Sequence, residues 1–324
     1  MIDRCVFQRV RFSTADFPEQ DRVAMWREHY GRTIFRADAA PACDSSFRAV
    51  VVSRALPELP LLYGSLSAVR IMRTRAFLAD GKDDFALVVN QAGSIAAHAR
   101  GREATLREGD AILVSSGEAT TFDRSTFGGS YSIRIPRAAL SSLVVDLDEA
   151  VMRRIPREHG LLKLLTGYAG PLLHEDVLTT PDLQRLAVTH VHDLVALVLG
   201  ATREAAPDAQ KRGVRAARLS AAKAHVAKHS HDPVLSIRSV AQDLGVTPRH
   251  LQRLFERDGS TFSAFLLNQR LLRAHRMLIS PRFDRYQVSE IAYRVGFGDL
   301  SYFNRCFRLR YGATPRDIRE SATR

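Results

Sequence analysis

Hydrophobic and polar positions change their period along the chain. Between residues 47 and 135, short β-branched and aromatic runs (Phe47–Ser53, Phe85–Asn90, Ser130–Ile135) are separated by Gly, Asp and Ser turns. This pattern predicts antiparallel strands in a barrel or sandwich. From Arg137 to Arg203 the period lengthens, and Leu183, Leu186, His190, Leu194, Leu197 and Val198 recur every three or four residues, as one stripe of a helix. Such a stripe packs on its own domain or on a second copy of the chain, and the pattern leaves both open. Residues 204–213 are polar, contain Pro and Gly and lack an apolar period, as an interdomain linker would. Beyond them the pattern is helical almost to the end.

A length of 324 residues exceeds what one core usually sustains, so two domains are expected: residues 1–203, a linker at 204–213, and residues 214–324. The fold class is α+β, with a strand-rich N-terminal domain closed by a helical hairpin and an all-α C-terminal domain. No apolar stretch is long enough to span a bilayer and the first residues lack a signal-peptide core, which predicts a cytoplasmic protein with no membrane partner. Cys5, Cys43 and Cys306 are widely spaced, form no CxxC pair and are expected to be free thiols.

Charge sharpens the division. The net +12 comes entirely from residues 208–324, with 22 basic and 10 acidic side chains, whereas residues 1–207 carry 25 of each. A basic excess confined to one domain is the electrostatic footprint of a nucleic-acid partner.

The basic third also repeats itself. Ser239-Val-Ala-Gln-Asp-Leu-Gly-Val246 and Glu290-Ile-Ala-Tyr-Arg-Val-Gly-Phe297 share apolar, Ala, polar, polar, apolar, Gly, apolar at an offset of 51; Leu251–Phe255 and Phe303–Phe307 match at 52. Two helix-turn-helix units explain this: Ala241 and Ala292 let the second helix cross closely, Gly245 and Gly296 make the turns, and one extra turn residue in the second unit gives the slip. Between the units Phe262, Phe265, Leu266, Leu271, Ala274 and Leu278 trace one helix face, long enough to set the two second helices about one duplex turn, roughly 34 Å, apart.

Over about residues 216–320 the chain resembles the AraC/XylS family of transcription regulators. The resemblance rests on His231-Asp-Pro233, Gly259 with Phe262, Arg270-Leu271 with Ala274 and Leu278, Ile291-Ala292, Gly296-Phe297, Tyr302-Phe303, Arg305, Phe307 and Gly312-Ala-Thr-Pro315. It implies a double-stranded DNA partner, a first reading helix starting near Thr247-Pro248, and base-reading positions at Arg249, Gln252, Arg253, Leu300, Ser301, Asn304 and Arg305. Arg suits guanine, Asn and Gln adenine, and an apolar side chain the thymine methyl. His250, Arg257, Arg308 and Arg310 are expected on phosphates. The resemblance further implies activation of transcription, RNA polymerase as a partner, a small-molecule effector and possible homodimers.

The N-terminal half, with Arg134–Leu140 leading from strand to helix, is similar to the family's cupin-like β-barrel sensor domain. Gly109–Gly117 resembles the second cupin motif, but Ser115 stands where proline is usual and Thr120 where a metal-binding His would be. His98 is the only histidine in the strand region, so no cofactor or metal is expected and catalytic residues are not assigned. Two other readings stay open: a cupin-type enzyme fused to a DNA-binding module, and an effector-free architectural DNA-binding protein. His225, His229 and His231 are spaced as metal ligands but are expected at a surface or on phosphate. Trp26 and Tyr63 are expected in core packing rather than in a ligand pocket.

Overall fold

The computed structural model describes residues 9–29, 31, 36–42, 47–174, 178, 180–202 and 205–322. They fall into two units, Met1–Ala217 and Arg218–Arg324. Cys5 and Cys43 lie outside the described residues, and Cys306 is a free, partly buried thiol.

In the first unit, alternation of apolar and polar side chains produces strands β1 (Arg9–Ser13), β2 (Asp38–Pro41), β3 (Ala49–Leu56), β4 (Leu59–Leu66), β5 (Val69–Arg73), β6 (Phe85–Asn90), β7 (Ile95–Ala99), β8 (Arg102–Leu106), β9 (Ala111–Ser115), β10 (Thr120–Arg124), β11 (Gly128–Ile135) and β12 (Arg154–Ile155). They form a seven-stranded sheet, β1-β3-β4-β11-β6-β9-β12, and a five-stranded sheet, β2-β5-β10-β7-β8. Among the described residues these sheets do not close into a barrel. Each keeps two edges, so the cupin-like half is a two-sheet arrangement. Strand patterning predicts faces; which strands pair at the edges is decided by tertiary packing.

The period of two gives the larger sheet two apolar faces. On one, Leu62, Ala86, Val88, Val114 and Ser132 look across a cavity to Ile71 and Phe122 of the smaller sheet. On the other lie helices α1 (Gly160–His174) and α2 (Pro181–Leu199), to which Tyr131 donates at the Ala169 carbonyl (2.7 Å) and Arg54 at the Leu172 carbonyl (2.8 Å). Helix α2 starts at an N-cap Thr180 followed by Pro181 and stops at Gly200, φ 103°. Its stripe splits: Leu194 and Val198 are buried in this unit's core, whereas Leu183 and Leu186 are exposed. His190 accepts or donates at the Tyr168 hydroxyl, 2.8 Å away. Burial pushes Tyr168 up to about 12 and lowers His190. Trp26 packs edge-on to Phe47 (centroids 5.7 Å apart) in a satellite core with Val51 and Val69, and neither Trp26 nor Tyr63 lines the cavity.

The Gly109-Asp110 pair of the motif-like segment serves the fold. Gly109 has φ 84°, and a Cβ there would sit 2.8 Å from Arg157 Cβ. The buried Asp110 carboxylate accepts from the Arg107 amide (2.9 Å), the Arg157 amide (3.1 Å) and Arg154 (3.0 Å). Burial raises its pKa, but the two amide bonds and Arg154 pull harder and leave it below the ordinary carboxylate value. Since the folded pKa is the lower one, the stabilisation is complete above an unfolded pKa of about 3.9 and is lost as pH falls through the folded value. Asp110→Asn is expected to destabilise by about 1 to 3 kcal/mol near neutrality. Thermal melts of the two proteins should converge in acid.

Most of the stretch expected as a linker is helical among the described residues. Residues Ala206–Ala209 are helical and Gln210–Val214 continue as a π turn, because Pro207 falls in a first turn where its missing N–H costs nothing. Arg212 forks onto buried Asp193 at 3.0 and 3.2 Å, and Gly213 sits where a Cβ would lie 3.1 Å from Asp193 and Leu194. The boundary between the two compact units lies within α3 (Arg215–His229).

The second unit contains α4 (Ile237–Asp243), α5 (Pro248–Arg257), α6 (Phe262–Leu278), α7 (Val288–Arg294), α8 (Leu300–Tyr311) and α9 (Pro315–Ala322). It has two cores on one axis. Phe262 and Leu266, at the start of α6, pack with Val240, Ala241, Leu251, Leu254 and Phe255. Leu271, Ala274 and Leu278, at its end, pack with Ile291, Ala292, Val295, Phe297, Phe303 and Phe307. One apolar face along the 17-residue α6 therefore carries both helix-turn-helix cores.

Candidate nucleic-acid interface and sensor cavity

Both turns close by the same hydrogen bonds. After α4, Gly245 N–H donates to Gln242 O (3.1 Å) and Val246 N–H to Ala241 O (2.9 Å); after α7, Gly296 N–H donates to Tyr293 O (3.0 Å) and Phe297 N–H to Ala292 O (3.0 Å). These are Schellman closures, with glycine at φ 62° and 97°. Ala241 and Ala292 are fully buried. The repeat in the sequence is thus a repeat of turn chemistry. The slip from 51 to 52 is also physical: the next N-cap comes two residues after Gly245, at Thr247, and three after Gly296, at Asp299.

Helix α5 starts as its sequence predicts, with Thr247 Oγ1 accepting from the His250 amide (3.2 Å) and Pro248 in the first turn. It buries Leu251, Leu254 and Phe255, which leaves Arg249, Gln252, Arg253 and Arg257 exposed. Gln252 donates to Glu256 (3.0 Å), one helical turn on. Glu256 was not among the expected positions, although its i,i+4 spacing to Gln252 is legible. His250 is half-buried, and its Nε2 is shielded from solvent without a hydrogen-bond partner among the described residues. Burial, then Arg218, Arg253 and Arg257, lower its pKa and favour the neutral ring.

Helix α8 begins at Asp299, whose carboxylate accepts from the Tyr302 amide (2.5 Å). It buries Phe303 and Phe307 and exposes Ser301, Asn304, Arg305 and Arg308, while Leu300 is half-buried against the core. Asn304, Arg305 and Arg308 line a broad groove of about 1250 Å³ with Gln287, Ser289 and Arg316. Arg316 follows a cap in which Thr314 and Asp317 bond each other's amides (2.9 and 3.2 Å), a Thr-Pro-x-Asp signal that sequence reasoning passed over. Arg310 is also exposed; two residues beyond Arg308, it is turned about 200° around the helix and lines a different groove with Asn268 and Leu271.

Arg270 is a positioning residue that the apolar stripe of α6 conceals. Its guanidinium donates to Ser230 O (2.9 Å) and Asp232 O (2.8 Å), tying α6 to the turn after α3. His225 lies 3.3 Å from Asp243 and stacks near His229, with ring centroids 4.3 Å apart. Among the described residues no three His, Cys, Asp or Glu side chains are placed to share a metal.

In the first unit, Ser115 and Thr120 face the cavity between the sheets. His98 does not line it; the ring lies 3.6 Å from Asp123 and 3.8 Å from Glu103 at a partly exposed position. Among the described residues no helix is long and apolar enough to cross a membrane.

Residues 240–321 match a family model described as a helix-turn-helix domain, and residues 26–200 match one described as an AraC-binding-like domain. The chain is 32% identical over 266 residues to the transcriptional activator RhrA of Rhizobium meliloti, covering 80% of this chain and 82% of that one. It is 25% identical over 261 residues to the transcriptional activator NphR of a Rhodococcus species, covering 76% and 72%. The crystal structure of the AraC-like transcriptional activator CuxR matches 82% of this chain and 95% of its own with a TM-score of 0.51; at 21% identity this bears on the fold alone.

Proposed function

This chain belongs to the AraC family of transcriptional regulators, and we propose that it activates transcription by reading two adjacent major-groove segments in response to a small molecule. The observation that carries this reading is the pair of identically closed turns on one helix, each delivering a helix whose outer face is polar and basic. Arg249, Gln252 and Arg253 read one segment; Ser301, Asn304 and Arg305, with the Leu300 methyl groups, read the other. Arg257 and Arg308 hold phosphates, joined by Arg316.

The cavity between the sheets is the effector site rather than a catalytic centre, since hydroxyls stand where metal ligands would be needed. The effector acts by binding one arrangement of the protein more tightly than the other. Exposed Leu183 and Leu186 supply a surface for a homodimer. RNA polymerase is the partner in activation, and the protein works in the cytoplasm on the nucleoid.

Fluorescence anisotropy of the full chain against DNA upstream of its own and neighbouring genes, with scrambled competitor, tests the core of this reading. One upstream fragment should bind tighter, with log affinity falling by about 0.9 per neutralised phosphate against log salt. Binding that is absent, or equal on every fragment, would sink it.

A further inference from the structure

The cavity between the two sheets has a volume of about 110 Å³, comparable to space that holds a single small ring. Its middle is apolar, with Ile71 and Phe122 from the smaller sheet facing Leu62 and Val88 from the larger. Its polar lining is lopsided: Arg73, Arg124 and Arg134 line it, and among the described residues no Asp or Glu does.

The two ends differ. Thr120 and Arg124 bracket β10 and both line the cavity, so the ends lie about 13 Å apart at roughly 3.3 Å per residue. At the Thr120 end Arg73 pairs with Asp80 (3.0 Å), and Arg134 feels the charges of Arg73, Asp84 and Asp80. At the other end Arg124 is only 6% exposed, and its polar partner among the described residues is the neutral Ala92 carbonyl (2.9 Å). Burial pulls its pKa down and the Tyr63 hydroxyl opposes this; among the described residues no carboxylate contributes. Gly128 makes room for it, because a Cβ there would occupy the position of the guanidinium. A buried cation facing a cavity without a counter-charge is costly unless something anionic completes it.

We propose that the cavity binds a small organic anion whose carboxylate pairs with Arg124 and whose compact apolar body lies between Ile71, Val88 and Phe122. The bidentate fork of arginine matches a carboxylate, and the apolar middle selects against inorganic anions. The regulatory consequence rests on the effector reading given above; the binding itself does not.

Calorimetric titration of the full chain with butyrate, pivalate and benzoate, each against its carboxamide, tests the proposal. At least one carboxylate should bind about 10- to 150-fold tighter than its amide, the value of a charge-assisted bond. Arg124→Gln should erase that difference and Arg124→Lys should keep part of it. The comparison within the wild-type protein stands even if a variant fails to fold. Equal binding of acid and amide, a preference that survives in folded Arg124→Gln, or no binding of any carboxylate would overturn it. Carboxylate binding without any change in DNA affinity would keep the anion site and remove the effector role.

Discussion

Gly296→Ala is expected to destabilise the second unit by about 3 kcal/mol or more, whereas Gly245→Ala costs about 1 kcal/mol. The two glycines hold equivalent places and both have positive φ, 97° and 62°. Their surroundings are not equivalent. A Cβ at Gly245 meets nothing within 4 Å, while one at Gly296 would lie 2.8 Å from Ser230 O, 2.9 Å from Arg270 Nε and 3.0 Å from His231 O. Backbone carbonyls cannot swing aside, and moving Arg270 breaks the bonds that anchor α6. At about 4 to 8 °C per kcal/mol for a domain of this size, the Gly296 variant should melt some 12 to 24 °C lower. Far-UV circular dichroism is the probe for the helical second unit, because the single tryptophan, Trp26, reports only the first. Equal shifts for the two variants would show that the close approach at Gly296 carries no energy.

Arg253→Ala and Arg305→Ala should each cost about 1 to 3 kcal/mol on the cognate site, a loss of roughly 5- to 150-fold, and should relax preference at the base each one reads. Both side chains are exposed on the outer faces of α5 and α8, and Arg305 is steadied by the Tyr302 ring, 5.5 Å from its guanidinium carbon. Arg257→Ala should behave differently: a uniform loss on all sequences and a salt slope smaller by about 0.9. Anisotropy titrations on cognate and single-base-substituted duplexes at several salt concentrations separate the cases. Uniform loss for Arg253→Ala would reassign it to a phosphate.

The duplicated unit was legible because its chemistry is local. A Schellman closure needs glycine at one position and a helix crossing needs a small residue four before it, so Ala241 with Gly245 and Ala292 with Gly296 mark the turns directly. Even the extra residue before Asp299 could be counted. Other positions were less legible. His250 lies within a few residues of exposed side chains yet is half-buried, and Arg310, exposed like Arg308, lines a different groove. The stripe of α2 has one period along its length, but Leu194 and Val198 meet the core while Leu183 and Leu186 stay exposed, the core contacts of that end coming from Ala187 and Val188 instead.

By itself the sequence determined the strand-rich and helical halves, the two turns, the cap that starts α5, and the charge that separates the halves. All of these depend on residues within about one or two helical turns, or on a sum over the chain. Tertiary structure decided the rest: that the sheets stay open at their edges, that Pro207 and Gly213 belong to a docked helical segment, and that Arg270 locks α6. It also decided that Arg73, Arg124 and Arg134, spread over 62 positions, line one cavity. Strand alternation assigns a residue to a face, but which faces oppose each other is fixed only when distant strands pair, and no local pattern carries that information.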